Sequence, residues 1–305
     1  MTIPAFPKIF AIGTKYIQDI WKDEVEITEK LDGSQLVFGR DSEGELRIRS
    51  KGKKLFFEAP EKMFAEGVDY VNSIADRIPN NTYFYCEYLK NPKHNTLVYN
   101  RIPKNHLVLF GVSTGKDCFE SNHSELLRWS DKLEIDCVPL LYRGMVTWEI
   151  LPFLKELLQI ESYLGGPTIE GVVIKNYNRS IIIGGQVLPL AVGKFVSESF
   201  KERHNKEWKK QSGKGKWKEF CESFRTEARW NKAIQHLKEK GELEEAPKDI
   251  GKVIKEIQKD IIEEEKDTIK DFLWDNYSKD VLRTAIRGFP EWFKETLIQT
   301  DCNNG

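Results

Sequence analysis

The sequence predicts an α+β protein in which antiparallel sheets flanked by helices are followed by a smaller all-helical C-terminal domain. Two observations support this prediction. Apolar and polar residues alternate in several short segments of the first two thirds of the chain, which is typical of half-buried strands. From about Ser197 the alternation stops, and helical spacing of apolar residues continues to about Gln299.

The N-terminal region is predicted to hold a meander of strands with helices inserted. We expect strands at 24–30, 34–40, 46–50, 82–89, 106–112, 168–176, 180–185 and 187–196. Helical spacing predicts helices at 60–78, from 125 onward and at 148–160. The segment DSEGE at 41–45 has the composition of a turn.

The helical region begins soon after the last predicted strand. We expect residues 1–204 to form one domain and residues 205–305 to form the helical one. The segment 208–220, WKKQSGKGKWKEF, has the composition of a mobile linker. One apolar face of a helix is defined by Ile250, Val253, Ile254, Ile257, Ile261 and Ile262.

Composition excludes several classes of protein. Hydrophobic residues are 40% and charged residues 31% of the 305, which predicts a soluble globular chain without membrane association. The five cysteines are scattered and form no C-x-x-C pair, so a disulfide framework and a thiolate zinc site are not expected. These features predict a reducing, cytoplasmic setting. The net charge is -1, so nucleic-acid affinity must come from local basic clusters.

Lys30 ends a predicted strand, just before the pair Asp32-Gly33. Asp-Gly is common turn chemistry, so Lys30 could be an ordinary residue at a strand end. It could also be a nucleophile, because a lysine amine can form covalent intermediates when its environment favours the neutral form. The side chain of Asp32 suits a structural hydrogen bond in the turn better than the role of a base.

A carboxylate on the strand TYFYCEYL is the second candidate. Alternation places Glu87 on one face with Tyr83 and Tyr85, and places Phe84 and Cys86 on the other. A carboxylate among aromatic residues is costly unless it has a partner. The alternative is a solvated face of an edge strand.

Further candidates lie in EGVVIK and in GKFVSESFKE. Glu170 and Lys175 are an odd number of residues apart, so on a regular strand they face opposite ways. They can serve one pocket only if the strand is distorted or if Glu170 precedes regular pairing. Lys194 ends an apolar run. Each feature alone is also consistent with a strand that has charged ends.

Taken in order, these segments resemble the covalent nucleotidyltransferase superfamily of polynucleotide ligases and mRNA-capping guanylyltransferases. The segments EKLDGS, RSKGK, EYL, LFGV, EGVVIK and KFVSESFKE are most similar to ATP-dependent RNA ligases of the second bacteriophage class and their nick-sealing relatives. The resemblance spans residues from about 6 to 204. It implies that residues 1–204 form an adenylyltransferase domain and that residues 205–305 bind RNA.

The resemblance also implies site residues. The expected catalytic residues are Lys30, Glu87, Glu170, Lys175 and Lys194. The residues expected to bind ATP or AMP are Glu29, Lys30, Leu31, Arg49, Glu87, Phe110, Lys175 and Lys194. Glu170 is expected to hold Mg²⁺, with Mn²⁺ as an alternative.

Each residue has an expected task. Lys30 is expected to attack ATP, and Glu87 is expected to contact the ribose or the metal. Phe110 is expected to stack on adenine, and the backbone at Glu29 and Lys30 is expected to contact the edge of the adenine ring. Arg49 contacts the RNA 5′-phosphate or the sugar. The lysine must be neutral, which costs roughly 4.6 kcal/mol at pH 7 in a water-like site. Burial and nearby positive charge, from Lys175, Lys194 and a metal, are expected to lower its pKa.

Two positions depart from the pattern of the second bacteriophage class. Val196 stands where a second lysine is usual in the last motif, and Gly111 follows Phe110 where aspartate is common. The basic segment after residue 204 is expected to bind RNA through Lys209, Lys210, Lys214 and Lys216. Its alternative is a solvated connector whose tryptophans pack into the helical core.

The resemblance predicts joining of an RNA 3′-hydroxyl to a 5′-phosphate, in repair or nick sealing, on nicked duplex RNA and without a protein partner. Alternatives within the superfamily are DNA nick sealing and cap guanylylation. An alternative of another class is a non-catalytic RNA-binding protein with the same fold. The absence of strand alternation after Lys194 favours RNA ligases, because the other enzymes place a β-rich barrel there.

Overall fold

The computed structural model of the protein describes residues 3–115, 118–119, 122–183, 185–201 and 213–303. The strands are β1 (Phe10–Ala11), β2 (Val25–Lys30), β3 (Ser34–Arg40), β4 (Leu46–Ser50), β5 (Thr82–Tyr88), β6 (Leu107–Thr114), β7 (Cys118–Phe119), β8 (Asp136–Cys137), β9 (Leu140–Gly144), β10 (Gly171–Asn176), β11 (Ile181–Ile183), β12 (Gln186–Leu188) and β13 (Ala191–Val196). The α-helices are α1 (Ala65–Ser73), α2 (His123–Lys132), α3 (Ile150–Leu157), α4 (Gly213–Glu222), α5 (Glu227–Glu239), α6 (Ile250–Ala285) and α7 (Phe289–Asn303). Short 3₁₀ helices lie at Lys15–Trp21, Ala75–Arg77, Lys104–His106, Glu198–Phe200 and Pro247–Asp249.

Two larger sheets organise the N-terminal region. The first has the strand order β1-β13-β10-β2-β9, and the second has the order β4-β3-β5-β6-β7, with β8 beside β6. Pairing is antiparallel except that β1 runs parallel to β13 and β8 runs parallel to β6. The strands β2 and β3 are consecutive in the chain but belong to different sheets. The turn between them therefore links the two sheets.

Helices cover one face of each sheet. In the second sheet, apolar residues of β3 and β5 such as Phe38 and Phe84 pack with Val68 and Val71 of α1. In the first sheet, apolar residues of β2 and β10 pack with α3 and with the 3₁₀ helix Lys15–Trp21. This arrangement confirms the predicted antiparallel sheets flanked by helices. On the opposite faces, β2 carries Lys30, β10 carries Lys175 and β5 carries Glu87.

Most predicted strands are confirmed, with differences at their ends. The strand predicted at 187–196 is divided into β12 and β13 around Pro189, which has no N–H to donate to a ladder. The helix predicted at 60–78 is shorter in the structure. The α-helix α1 covers only Ala65–Ser73, and a 3₁₀ helix covers Ala75–Arg77. The short strands β1, β8 and β9 were not predicted, since two to five residues give too little alternation to recognise.

The chain divides into two compact units. The first unit contains Met1–Lys201 and also Ile234–Asp249. The second contains the remaining helical residues, 213–233 and 250–303 among those described. Residues 234–249, which lie after the predicted boundary at 204, group with the sheets in the first unit. The helix α5 therefore contributes residues to both units.

A buried ion cluster and stacked rings stabilise the second unit. Arg229 is fully buried and pairs with Asp260 and, at 2.9 Å, with Glu265. The rings of Phe220 and Phe272 stack with centroids 3.8 Å apart. The helix predicted around residues 250–262 is confirmed. Its predicted apolar face is confirmed only in part. Val253, Ile257 and Ile261 are half-buried on the side of α6 that bears the buried Asp260, whereas Ile250, Ile254 and Ile262 are exposed.

No helix in the described ranges combines the length and the apolar character needed to cross a membrane.

A crowded glycine provides a test of the second sheet. A Cβ added at Gly39 would lie 2.8 Å from Cα of Tyr83, and closer still to the carbonyl oxygen of Thr82. We expect Gly39→Ala to destabilise the sheet by about 1–3 kcal/mol, as overpacking usually does, measured by urea unfolding. The control is Gly251→Ala, because a Cβ there has no neighbour within 4 Å. Equal unfolding midpoints for the two variants would contradict this account.

Candidate active site

Asp32 anchors the turn between β2 and β3. Its Oδ2 accepts hydrogen bonds from the backbone N–H groups of Thr96 at 2.7 Å and Leu97 at 2.8 Å. Its own N–H donates to the hydroxyl of Tyr99 at 2.9 Å. All of these contacts are with the loop after β5. Asp32 therefore has the structural role in the turn that its sequence position indicates.

Lys30 and Glu170 form a close ion pair across two neighbouring strands. The Nζ of Lys30 lies 2.6 Å from Oε1 and 2.8 Å from Oε2 of Glu170. The pairing of β2 with β10 places Lys30 opposite Gly171, the residue after Glu170. Glu170 thus precedes the regular strand. A distorted strand, the other arrangement that would let Glu170 and Lys175 serve one pocket, is not needed to explain its position.

Glu87 belongs to the same group of charges. It lies on β5 between β3 and β6, and its Oε1 accepts the N–H of Gly33 at 3.0 Å. Tyr83 and Tyr85 pack on the same side of the strand, whereas Phe84 and Cys86 pack on the other, as predicted. The alternative of a solvated edge strand is wrong, because β5 has neighbours on both sides.

Burial and mutual repulsion disfavour the charged forms of both carboxylates. Burial raises the pKa of Glu170 to about 7, although the charge of Lys30 opposes the shift. Burial also raises the pKa of Glu87 to about 8, opposed by Lys30 and reinforced by Glu170 and Glu239. Lys30 therefore lies beside two buried carboxyl groups whose charged forms are disfavoured.

The pKa of Lys30 differs from the expectation. Burial acts to lower it, but the carboxylates of Glu170 and Glu87 outweigh burial and raise it above the usual value. The expected lowering by positive neighbours is wrong for this arrangement, because the charges nearest to Lys30 are acidic. The sequence analysis could not assign these partners, since Glu170 lies 140 residues away in sequence.

The two other expected lysines occupy different surroundings. Lys194 lies on β13 opposite Val173 of β10, and its charge acts on Glu170. Lys175 is buried and donates to the carbonyl oxygen of Phe110. In the register it stands opposite Glu26, four residues along β2 from Lys30. Lys194 is therefore close to Glu170, whereas Lys175 contacts the strand that carries Phe110.

The apolar part of the site surrounds Phe110. Leu31 and Phe110 belong to one apolar cluster, which also includes Tyr99 and Tyr163. The ring of Phe6 meets that of Phe110 edge-on, with centroids 5.1 Å apart. Sequence reasoning missed Phe6, which lies in a segment without strand or helix periodicity.

The same aromatic packing explains one departure from the family pattern. A Cβ added at Gly111 would come within 2.8 Å of the Phe6 ring. A side chain such as aspartate at this position would therefore displace Phe6 from its contact with Phe110.

The remaining nucleotide-binding candidates are held by hydrogen bonds. The carboxylate of Glu29 accepts from Ser162 Oγ at 2.5 Å and from the N–H of Tyr163 at 3.1 Å. The backbone N–H of Glu29 donates to the carbonyl oxygen of Pro139 at 3.3 Å. Arg49 donates to the carbonyl of Lys51 at 2.7 Å and to the carbonyl of Ser50 at 3.0 Å. Its guanidinium thus already has backbone partners.

The expected RNA-binding segment is only partly described. Lys209 and Lys210 lie outside the described residues, and for Lys214 only the helical backbone is described. Lys216 is on α4, so the linker predicted over 208–220 is helical from Gly213 onward. The nearby ring of Trp217 contacts Phe220 and Phe272 yet keeps 38% of its surface exposed.

A divalent ion fits the acidic group better as a partner of one or two carboxylates than as a fully protein-bound ion. Among the described residues, no three or more His, Cys, Asp or Glu side chains lie together as a metal site. Mg²⁺ usually binds through one or two carboxylates and the substrate phosphates, with water as the other ligands. Glu170 and Glu87 meet that requirement.

Comparison with known proteins identifies a family for this chain. The model of the family described as RNA ligase matches residues 23–196, which is more than half of the 305 residues. No curated protein sequence matches the chain.

Three solved structures of a Naegleria gruberi RNA ligase are similar to the chain. For that ligase with PPi, identity is 15%, the TM-score is 0.45, and the match covers 64% of this chain and 56% of that one. For a mutant of that ligase with ATP and Mn, identity is 13%, the TM-score is 0.47, and the match covers 65% of this chain and 57% of that one. For another mutant with AMP and Mn, identity is 13%, the TM-score is 0.47, and the match covers 64% of this chain and 56% of that one. This chain spans a little over half the length of those ligase chains.

The buried amine of Lys175 predicts a pH dependence of stability. Burial lowers its pKa from 10.5 to about 8. Between these pH values the unfolded chain binds more protons, so the contribution of Lys175 makes the folded protein more stable as the pH rises. We expect Lys175→Met to lose this rise relative to the wild-type protein, measured by urea unfolding at several pH values from about 8 to 10.5.

The control for Lys175→Met is Lys22→Met. Lys22 has an exposed side chain that pairs with Asp19 at 2.8 Å. This variant should keep the pH dependence of the wild-type protein. Parallel pH profiles for Lys175→Met and the wild-type protein would contradict the assignment of a depressed pKa to Lys175.

Proposed function

This chain belongs to the RNA ligase family, and we propose that it is an ATP-dependent RNA ligase that joins a 3′-hydroxyl to a 5′-phosphate. The observation that supports this most directly is the position of Lys30, at the end of β2 and within 2.6 Å of Glu170. Glu87 and Lys194 complete a group of charges around it. A lysine so placed, in a turn fixed by Asp32, suits covalent catalysis.

In the first proposed step the Nζ of Lys30 attacks the α-phosphorus of ATP. The bond to pyrophosphate breaks, and lysyl-AMP remains. To present its lone pair, Lys30 must give up a proton and leave its hydrogen bond with Glu170. Phe110 offers a ring for adenine beside Leu31, and we assign contact with the adenine edge to the backbone around Glu29 and Lys30. Positioning of this kind contributes most of the rate in phosphoryl chemistry.

Mg²⁺, or Mn²⁺ in its place, would be held by Glu170 with Glu87 beside it and would supply positive charge to the phosphate oxygens. Lys194, whose charge already acts on Glu170, would add to this neutralisation. Lys175 supports the strand of Phe110 through its hydrogen bond to the carbonyl oxygen there. We assign it a positioning role in this proposal.

Two further steps complete the proposed reaction. AMP passes from Lys30 to the 5′-phosphate of RNA, which forms a 5′-5′ pyrophosphate linkage and releases the lysine. The 3′-hydroxyl then attacks the 5′-phosphate, AMP leaves with the electrons of the broken bond, and a phosphodiester forms. We propose nicked duplex RNA as the substrate, with repair or nick sealing as the role.

Covalent labelling tests the proposed nucleophile. The full chain is incubated with α-labelled ATP and magnesium and separated on a denaturing gel. We expect a labelled wild-type band, and Lys30→Ala should reduce the label by at least about 10³-fold, the scale that follows removal of a covalent nucleophile. Lys22→Ala, at an exposed lysine of the same unit, is the control and should label normally.

Other outcomes of the labelling experiment have distinct meanings. Label retained by folded Lys30→Ala would mean that another lysine is the nucleophile. Label from GTP in place of ATP would indicate guanylylation. No label in a folded wild-type protein free of bound AMP would refute the proposed first step and favour a non-catalytic RNA-binding role.

RNA binding by the basic segment has its own test. The variant neutralises four lysines, Lys209, Lys210, Lys214 and Lys216. If all four contact phosphates, the slope of log Kobs against log salt should fall by up to roughly 3. Affinity for nicked duplex RNA is measured at several salt concentrations.

The control neutralises four exposed lysines of the second unit, which are Lys255, Lys259, Lys266 and Lys270. It should change the slope much less, because these residues are not among those proposed to contact RNA. Equal slopes for the two variants would remove the basic segment from the proposed RNA-binding surface.

A further inference from the structure

A second hydrogen-bond network holds the residues that follow Lys30. The hydroxyl of Ser34 donates to Oε1 of Glu239 at 2.5 Å and lies 2.9 Å from Nε2 of His94. Nδ1 of His94 accepts the N–H of Lys90 at 3.0 Å. Burial lowers the pKa of His94 to about 4, so the ring is neutral and its Nε2 carries the proton. The chain of donors therefore runs from His94 to Ser34 and from Ser34 to Glu239.

Gln235 joins this network to the turn itself. It precedes Glu239 by one helical turn of α5, and its Nε2 donates to Oε1 of Glu239 and to the carbonyl of Gly33, both at 2.9 Å. Asn95 donates to the same carbonyl at 2.8 Å. The N–H of Gly33 is bound by Glu87. Both polar groups of the Gly33 backbone are thus fixed.

Glu239 is buried with only 5% of its surface exposed. A buried carboxylate is costly unless it is hydrogen-bonded, and here one oxygen accepts from both Ser34 and Gln235. The segment 234–249 belongs to the same compact unit as the two sheets. These contacts are therefore internal to the unit that contains Lys30.

We propose that Glu239 and Gln235 are positioning residues that orient the Lys30 nucleophile by fixing Gly33 and Ser34. The proposal rests on the proposed function of Lys30. Gly33 is bound to Glu87 on one side and to Gln235 on the other, so the network sets the distance between the turn and the acidic group. A displacement of about 1 Å can lower the rate of a positioned reaction by up to about 10²-fold.

The test compares Glu239→Ala with the conservative Glu239→Gln in the full chain. The readouts are the rate constant of lysyl-AMP formation at saturating ATP and the ATP concentration for half-maximal rate. We expect Glu239→Ala to lower the rate constant by about 10- to 100-fold with little change in the half-saturating ATP concentration. Glu239→Gln should remain within about threefold of wild type, because its amide oxygen can accept the same two hydrogen bonds.

The matched control is Glu245→Ala, in the same segment, where the carboxylate pairs with Lys238 at the surface. It should react like the wild-type protein. Ser34→Ala should reproduce part of the Glu239→Ala loss, and the double variant should be no slower than Glu239→Ala, because the two act through one contact. Wild-type rates in folded Glu239→Ala, or multiplied losses in the double variant, would overturn the proposal.

Hydrogen exchange separates this proposal from the proposed function. Amide exchange of residues 31–34 should accelerate in Glu239→Ala and in Ser34→Ala but not in Glu245→Ala. If the wild-type protein forms no adduct, the proposed function fails, and unchanged exchange in the turn then refutes the positioning role as well. If Glu239→Ala does not fold, the rate of lysyl-AMP formation and the amide exchange of residues 31–34 are measured in Ser34→Ala instead. A wild-type rate together with wild-type exchange in Ser34→Ala would refute the positioning role.

Discussion

The ion pair between Lys30 and Glu170 is the constraint on which the arrangement of the site depends. It requires β2 and β10 to be neighbours in one register, since Lys30 must stand opposite Gly171 for Glu170 to reach it. A shift of one residue would turn Lys30 toward the apolar face that packs under the first sheet. The burial of Val25, Ile27, Val172 and Ile174 on that face therefore also fixes the charge geometry. Fold and site are specified by the same pairing.

The site has an excess of acid that does not serve stability. Burial raises the pKa values of Glu87 and Glu170, and the positive charge of Lys30 only partly opposes this. Replacing such groups with apolar residues is often neutral or stabilising in other proteins. The presence of Glu87 and Glu170 among aromatic and aliphatic residues is consistent with a chemical role for the two carboxyl groups. The raised pKa of Lys30 has a different cause, because burial would lower it and the carboxylates of Glu170 and Glu87 outweigh burial.

The sequence predicted those parts of the site that depend on local pattern. Alternation on TYFYCEYL assigned Glu87 to the correct face, whereas the spacing of EGVVIK left two arrangements open, a distorted strand or a Glu170 that precedes regular pairing. It could not predict partners that only the fold brings together. The acceptor of Lys175 is a backbone carbonyl 65 residues away, and the acceptor of Ser34 lies 205 residues away. Neither contact leaves a periodicity in the sequence.

The division of the chain follows contacts rather than composition. Helical spacing begins after Lys194, which made a boundary near 204 the natural prediction, yet residues 234–249 pack with the sheets. Their polar groups contribute to this grouping, because Gln235 donates to the Gly33 carbonyl beside Asn95, and Glu239 accepts from the Ser34 hydroxyl, which also contacts His94. Residues 234–249 therefore belong with the sheets, and the compact unit that contains Lys30 is built from two separate stretches of sequence.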